Sequence, residues 1–419
     1  METIKRDFYL EKLISKKENG LIKVITGLRR VGKSYLLDPL FKNYLLESGI
    51  AEDHIIKLEL DKRTNAKYRN ADALDEYIRN QITDSKMYYI LLDEIQLVKG
   101  FEEVLNGFLY EKNIDVYVTG SNSKFLSTDI ITEFRGRSDE IKVFPLSFSE
   151  FYSMKNSENV NNVLNEYLVY GGMPLILNNK THDEKQNYLN NLFQNTYILD
   201  IVDRNNIQRT DALEKVVDIL GTSIGSLTNP NNLAKVFMNS KEQDIDVKTI
   251  DNYLKYLEES FLINKVKRYD IKGKKIITTP SKYYFTDIGI RNAKLNFRNQ
   301  DQNHIIENII YNELLRRGFS VDVGIIEKFD KNKDNKTTRK TYEIDFVCNI
   351  GFNRYYIQVA FDINEEEKKK QEILPLVSIY DNFKKIIIVK DLLTPYKTED
   401  GITVIGLLDF LLNENSIEL

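Results

Sequence analysis

The apolar positions of this chain follow two periods, and the changes between them mark its organisation. From about Gly20 to Phe144, short β-rich runs (LIKVIT, IIKLEL, YYILLDE, DVYVTG, EIKVF) alternate with amphipathic stretches such as SYLLDPLFKNYLLES. Strand runs separated by helical stretches predict a parallel sheet wrapped by helices, so residues 1–144 read as an α/β domain. Over 145–210 the spacing turns helical (FSEFYSM, VNNVLNEYLVYGG, YLNNLFQNTYILDIV), punctuated by Gly171, Gly172 and Pro174, which predicts a small helical subdomain. Over 211–300, three helical stretches (LEKVVDILGTSIGSL, NLAKVF, VKTIDNYLKYLEESFLI) precede a candidate hairpin around KVKRYDIKGKKIITT, the order of a winged-helix module. Residues 301–419 return to α/β: the helix HIIENIIYNELLRRG, the strands SVDVGII, TYEIDFVCNI, RYYIQVAFDI and KKIIIVK, and a closing helix, LLDFLLNE. The charged stretch KFDKNKDNKTTRK between the first two of these strands reads as a solvated loop.

Composition narrows the setting. A chain of 419 residues exceeds one ordinary core, and 42% apolar with 29% charged residues is the balance of folded domains. The net charge of −4 excludes a global positive field, so any contact with nucleic acid requires a local patch. The start, METIKRDFYLEKL, carries charges where a signal peptide needs an apolar core, and no run approaches the ~18 apolar residues of a membrane span. A soluble, cytoplasmic protein without a membrane partner is therefore expected. The single cysteine, Cys348, excludes an internal disulfide and a cysteine-rich zinc site, and His54, His182 and His304 have no ligand-like spacing.

The chemistry starts at Gly27-Leu-Arg-Arg-Val-Gly32-Lys33-Ser34, which fits G-x-x-x-x-G-K-[ST] between a strand and a helix. Gly27 and Gly32 let backbone N–H groups turn inward as an anion nest, around which Arg29, Arg30, Val31 and Tyr35 complete the loop. Lys33 would reach the β- and γ-phosphates and the Ser34 hydroxyl would ligate Mg²⁺. Alone, the pattern could be a Gly turn before a helix. The apolar strand YYILL, ending in Asp93 and Glu94, removes that alternative: its C-terminal end faces the ligand crevice, Asp93 serving Mg²⁺ through water and Glu94 the attacking water. Ser121 and Asn122, after the strand DVYVTG, are either γ-phosphate sensors or helix caps. Arg137, with Arg135 before it, is a candidate finger toward a neighbouring subunit's nucleotide.

These motifs, with FPLSFSEF, GGMP at Gly171–Pro174, KYYFTDIGI, HIIENIIYNEL and YEIDFV, give a resemblance that spans nearly the whole chain. The sequence resembles prokaryotic AAA+-type ATPases that carry a C-terminal DUF4143 region. The resemblance implies a P-loop AAA+ core with a helical lid, a winged-helix segment and a restriction-endonuclease-like α/β domain, with ATP rather than GTP as the nucleotide. It implies that Lys33 and Ser34 hold phosphate and Mg²⁺, that Asp93 and Glu94 are the Walker B pair, that Ser121 or Asn122 is the sensor, and that Arg137 is the finger. A finger acting in trans would require a homo-oligomer.

Glu307 on a helix and Asp345 on a strand resemble two parts of a PD-(D/E)xK nuclease site. That chemistry also needs a strand Glu and, two residues on, a Lys. Here those positions are Gln358 and Ala360, a poor metal ligand and no charge at all, which favours an inactive scaffold over metal-dependent cleavage. Lys267, Arg268, Lys272, Lys274 and Lys275 around the hairpin would suit duplex DNA phosphates, whereas Asp251, Glu258 and Glu259 on the preceding helix oppose groove entry. A DNA-associated ATPase and an ATP-gated switch with a protein partner at the C-terminal domain are both consistent with these residues.

Overall fold

The structure is a computed structural model that describes residues 4–120, 134, 136–155, 158–239, 245–298, 301–331, 337–363, 365–392 and 394–418. The chain divides into two compact units, Met1–Pro145 with Glu259–Phe261, and Leu146–Glu258 with Leu262–Leu419.

In the first unit β1 (Ile22–Thr26), β2 (Ile55–Glu59), β3 (Tyr88–Asp93), β4 (Ile114–Thr119) and β5 (Ser138–Lys142) form one parallel sheet in the order β2-β3-β4-β1-β5. Every residue of β1 and β3 is buried, as expected of parallel strands covered on both faces. The core under the sheet includes Val24, Leu58, Leu74, Ile78, Ile90 and Val118. Strand β4 lies between β1 and β3. Because the strands run in one direction, the loop after Thr26 and the ends of β3 and β4 arrive at one rim of the sheet.

The helix expected after the loop is interrupted. It begins at Lys33–Tyr35, but Asp38 has φ −147° and ψ 118°, and regular helix resumes only at Lys42–Glu47. Pro39 explains the break: its ring disfavours helical backbone at the residue before it, and it has no N–H to donate.

The second unit places helices before a sheet of eight strands. β6 (Ile263–Asp270), β7 (Lys275–Phe285), β8 (Ser320–Lys331), β9 (Thr337–Ile350), β10 (Asn353–Ala360), β11 (Lys384–Val389), β12 (Tyr396–Lys397) and β13 (Thr403–Gly406) run in the order β12-β13-β11-β10-β9-β8-β6-β7. The three helices Thr210–Thr222, Pro230–Asn239 and Val247–Glu259 precede the hairpin as expected. The hairpin does not stand apart as a wing, however, because β6 pairs with β8 in parallel and makes β6–β7 the margin of the large sheet. The stretch read as a solvated loop is also partly strand, since β8 continues to Lys331 and β9 resumes at Thr337. Helix Gln302–Arg316 buries residues on all sides, among them Ile306, Glu307, Ile310, Tyr311 and Leu314. Its position inside the unit, rather than on a surface, accounts for that.

The GGMP turn has a packing role. Gly171 has φ +69°, and a Cβ there would lie 2.4 Å from Oδ1 of Asp287, while the Gly172 N–H donates to Oδ2 of the same carboxylate at 2.7 Å. Asp287 also caps helix Ile288–Lys294 by accepting from the Ile290 N–H at 3.0 Å. Among the described residues, no helix is long and apolar enough to cross a membrane.

Candidate functional site

The loop from Gly27 to Ser34 is held by backbone conformations that sequence alone suggests but does not measure. Gly27 has φ +134° and a Cβ on it would lie 2.2 Å from the Val143 carbonyl oxygen, so only glycine fits against the exit of β5. Gly32, at φ +96°, precedes the helix that starts at Lys33, and Arg30 takes φ +67° on the crest. Arg29 and Arg30 are exposed, Val31 is buried and Tyr35 is half-buried. The Arg6 guanidinium donates to the Phe144 carbonyl at 2.7 Å and to the Val31 carbonyl at 3.4 Å, tying the loop to the strand exit beside it.

Lys33 is buried, and its Nζ donates to the carbonyls of Gly27 at 2.9 Å and Leu28 at 3.0 Å. Burial pulls its pKa down to about 8, against the pull of Glu94 and Asp93 and with a further push from Arg29. The Ser34 hydroxyl donates to Oδ1 of Asp93 at 2.9 Å. The two residues that the sequence assigned to Mg²⁺ are thus in contact although they lie 59 positions apart. Burial raises the Asp93 pKa, while hydrogen bonds from Thr119 and Ser34 counter it. A cavity of about 260 Å³ opens here, lined by Ser34, Tyr35, Asp38, Lys57, Glu59 and Asp93.

Thr119 was not singled out from sequence, yet it joins both carboxylate residues. Its hydroxyl donates to Asp93 and accepts from the Glu94 N–H at 3.0 Å. Insertion of β4 beside β3 brings it there, and a hydroxyl at the end of that strand was its one sequence signal. Glu94 takes the left-handed conformation at φ 56°, a sparsely occupied state for a side chain with a Cβ, and its carboxylate accepts from the Gln96 amide.

The remaining candidates divide. Ser121, Asn122 and Arg135 lie outside the described residues. Arg137 is exposed and sits beside Ile22, whose N–H donates to the Arg137 carbonyl at 3.0 Å. That is the opposite end of β1 from the loop, roughly 13 Å of strand away at ~3.3 Å per residue, so Arg137 does not belong to its own chain's site.

In the second unit Glu307, Asp345 and Gln358 do converge. The Asp345 N–H donates to the Gln358 side-chain oxygen at 3.4 Å, and Glu307 and Asp345 influence each other electrostatically. The structure adds Lys282, which donates to Glu307 at 2.8 Å. Of the hairpin cations, Arg268 donates to the carbonyls of Pro280 and Thr279, Lys272 donates to that of Glu327, and Lys275 lies 3.9 Å from Asp270. Lys267, Lys272, Lys274 and Lys275 are exposed.

Comparison with known proteins supports the reading of the first unit and corrects the resemblance in the second. Residues 19–152 match a family described as an AAA domain, and residues 161–301 match a domain of unknown function, DUF8612, rather than DUF4143. The Walker-type ATPase of Pyrococcus abyssi shares the fold at a TM-score of 0.51 and 15% identity, over 70% of this chain and 96% of that one. A protein of Methanocaldococcus jannaschii is 29% identical over 88% of this chain and 80% of its own. An uncharacterized protein of Haemophilus influenzae is 36% identical over 98% of both chains. The chain belongs to the family of that Haemophilus influenzae protein, its AAA domain at residues 19–152 followed by DUF8612 at residues 161–301.

Proposed function

We propose that this chain is an AAA+-type ATPase that binds and hydrolyses ATP with Mg²⁺. The observation that carries the reading is the contact of Ser34 with Asp93 beside the buried Lys33. A hydroxyl at the start of the helix that leaves an anion-binding loop, facing a carboxylate at a strand end, suits Mg²⁺ with a nucleotide phosphate. Mg²⁺ held by Ser34, with Asp93 behind it, would offset the charge of the β- and γ-phosphates. Lys33 exchanges its hydrogen bonds to Gly27 and Leu28 for phosphate oxygens. Glu94 accepts the proton of the attacking water, and Thr119 fixes the relative orientation of Glu94 and Asp93. Arg137, exposed at the far end of the sheet, fits a finger that serves a neighbouring copy in a homo-oligomer. Mixing Arg137→Ala with Lys33→Ala subunits would then restore turnover, and absence of rescue would remove that role.

The exposed lysines of the β6–β7 hairpin favour association with duplex DNA through phosphates. A protein partner is the second reading, favoured by the exposed aromatic side chains of Phe352, Tyr380 and Phe383 in the second unit. The C-terminal region acts in either case as a nuclease-like scaffold without nuclease activity. Steady-state ATP hydrolysis with and without duplex DNA, using Glu94→Gln as the blank, tests the proposal. Turnover equal in wild type and blank would refute hydrolysis at this site. Stimulation by DNA that fades with salt supports the first reading, and a DNA-indifferent rate supports the second.

A further inference from the structure

The nuclease-like cluster contains a cation that its sequence motif does not predict. The motif's lysine position is Ala360, but Lys282 enters from β7 and is buried. Its Nζ lies 2.8 Å from Oε1 of Glu307 and 2.9 Å from Oε1 of Glu343. Asp345 is also within its electrostatic reach. Glu307 is fully engaged: Oε1 also accepts from the Tyr284 hydroxyl at 2.5 Å, and Oε2 faces Nδ1 of His304 at 3.3 Å. Oδ2 of Asp345 accepts from the Val359 N–H at 2.8 Å. The side-chain oxygen of Gln358 faces the Asp345 N–H, and Gln358 also hydrogen-bonds Glu372.

This donor set does not fit a divalent metal. A metal would need carboxylate oxygens that are committed here to an ammonium, a phenol and an imidazole, and it would sit against a fixed positive charge. A cation is already present among these carboxyl groups. Burial would raise the Glu307 pKa, but His304, Lys282 and Tyr284 together hold it below the usual carboxylate value. Burial and the neighbouring Glu307 push the Asp345 pKa well above that value, with Lys282 and the Val359 N–H opposing them. The ammonium of Lys282 therefore lies between two carboxylates, those of Glu307 and Glu343.

We propose that the ammonium of Lys282 is the resident cation of this cluster: it occupies the place a divalent metal would take, and it ties β7 to helix Gln302–Arg316 and β9. The inference rests on the reading of the C-terminal region as an inactive nuclease-like scaffold. It explains why the region lacks a metal-dependent activity by more than the loss of two motif residues.

The test uses the full chain and Mn²⁺ alone, followed by electron paramagnetic resonance, in wild type, Glu307→Gln, Lys282→Met, and Lys282→Met combined with Glu307→Gln. Methionine keeps most of the lysine's length and apolar packing, and thermal unfolding identifies any variant that has not folded; Lys282→Gln is the substitute in that event. Wild type should show no Mn²⁺ binding that depends on Glu307. The Lys282 variant should gain a Glu307-dependent site, its affinity about tenfold or more above any Glu307-dependent binding in wild type, once the like charge is gone, and the double variant should lose it. A folded Lys282 variant that gains no site overturns the inference, as does wild type that already binds Mn²⁺ through Glu307. Nicking of supercoiled plasmid by wild type, abolished by Asp345→Asn, would instead overturn the inactive-scaffold reading itself.

Discussion

Raising the pH should weaken nucleotide binding through one group, Lys33. Its ammonium is buried against loop carbonyls, and burial brings its pKa to about 8. Phosphate oxygens would restore the charged form, so the complex keeps a proton that the free protein begins to lose near that value. The sign follows. Below about pH 8 both states hold the proton and affinity is flat, whereas above it binding must take up a proton and affinity falls toward tenfold per pH unit. Between about pH 7 and about pH 9 the protonated fraction drops from roughly nine-tenths to roughly one-tenth, which is about tenfold in Kd or ~1.4 kcal/mol. The phosphate's own second ionisation, near 6, lies below this window. Isothermal titration with a non-hydrolysable ATP analogue, in two buffers of different ionisation enthalpy, measures both the affinity and the protons taken up. Uptake should be close to zero at the lower pH and approach one at the higher. A flat Kd without proton uptake across the window would refute the assignment of Lys33 as the buried, phosphate-facing cation.

Three further outcomes can be checked on the same protein. Gly27→Ala places a methyl 2.2 Å from the Val143 carbonyl oxygen at a backbone φ of +134°, and should cost about 1–3 kcal/mol in urea unfolding together with most nucleotide affinity; wild-type affinity would show that the loop relaxes freely. Thr119→Val removes both the donor to Asp93 and the acceptor for the Glu94 N–H, and should lower kcat about tenfold with little change in KM, with Thr119→Ser restoring it; an equal loss in the serine variant would point to packing. Asp287 is held by burial at a pKa of about 6, above its unfolded value, so its native form prefers the proton and stability is lost as the pH rises from about 4 to about 6, by about 2–3 kcal/mol. In urea midpoints followed against pH, Asp287→Asn should lack that loss; parallel curves for the two proteins would contradict the shift.

The nucleotide loop, the carboxylate pair and the parallel α/β unit around them were legible in the chain because each is local. A glycine loop lies between a strand and a helix, an apolar run ends in two carboxylates, and strand and helix periods alternate; all of these are written in consecutive residues. Even the break at Pro39 has its cause in the adjacent residue. Local period carries no information about which distant segments become neighbours, and there the tertiary structure decided. Insertion of β4 between β1 and β3 brought Thr119 onto Asp93 and Glu94. Parallel pairing of β6 with β8 turned a presumptive wing into the margin of a sheet. Glycines 171 and 172 acquired their reason only when Asp287, 115 residues beyond Gly172, closed on them. Lys282 lay on a β7 stretch with nothing to mark it as chemistry, until chain packing placed its ammonium among three carboxylates where the desolvation of any one charge depends on the others.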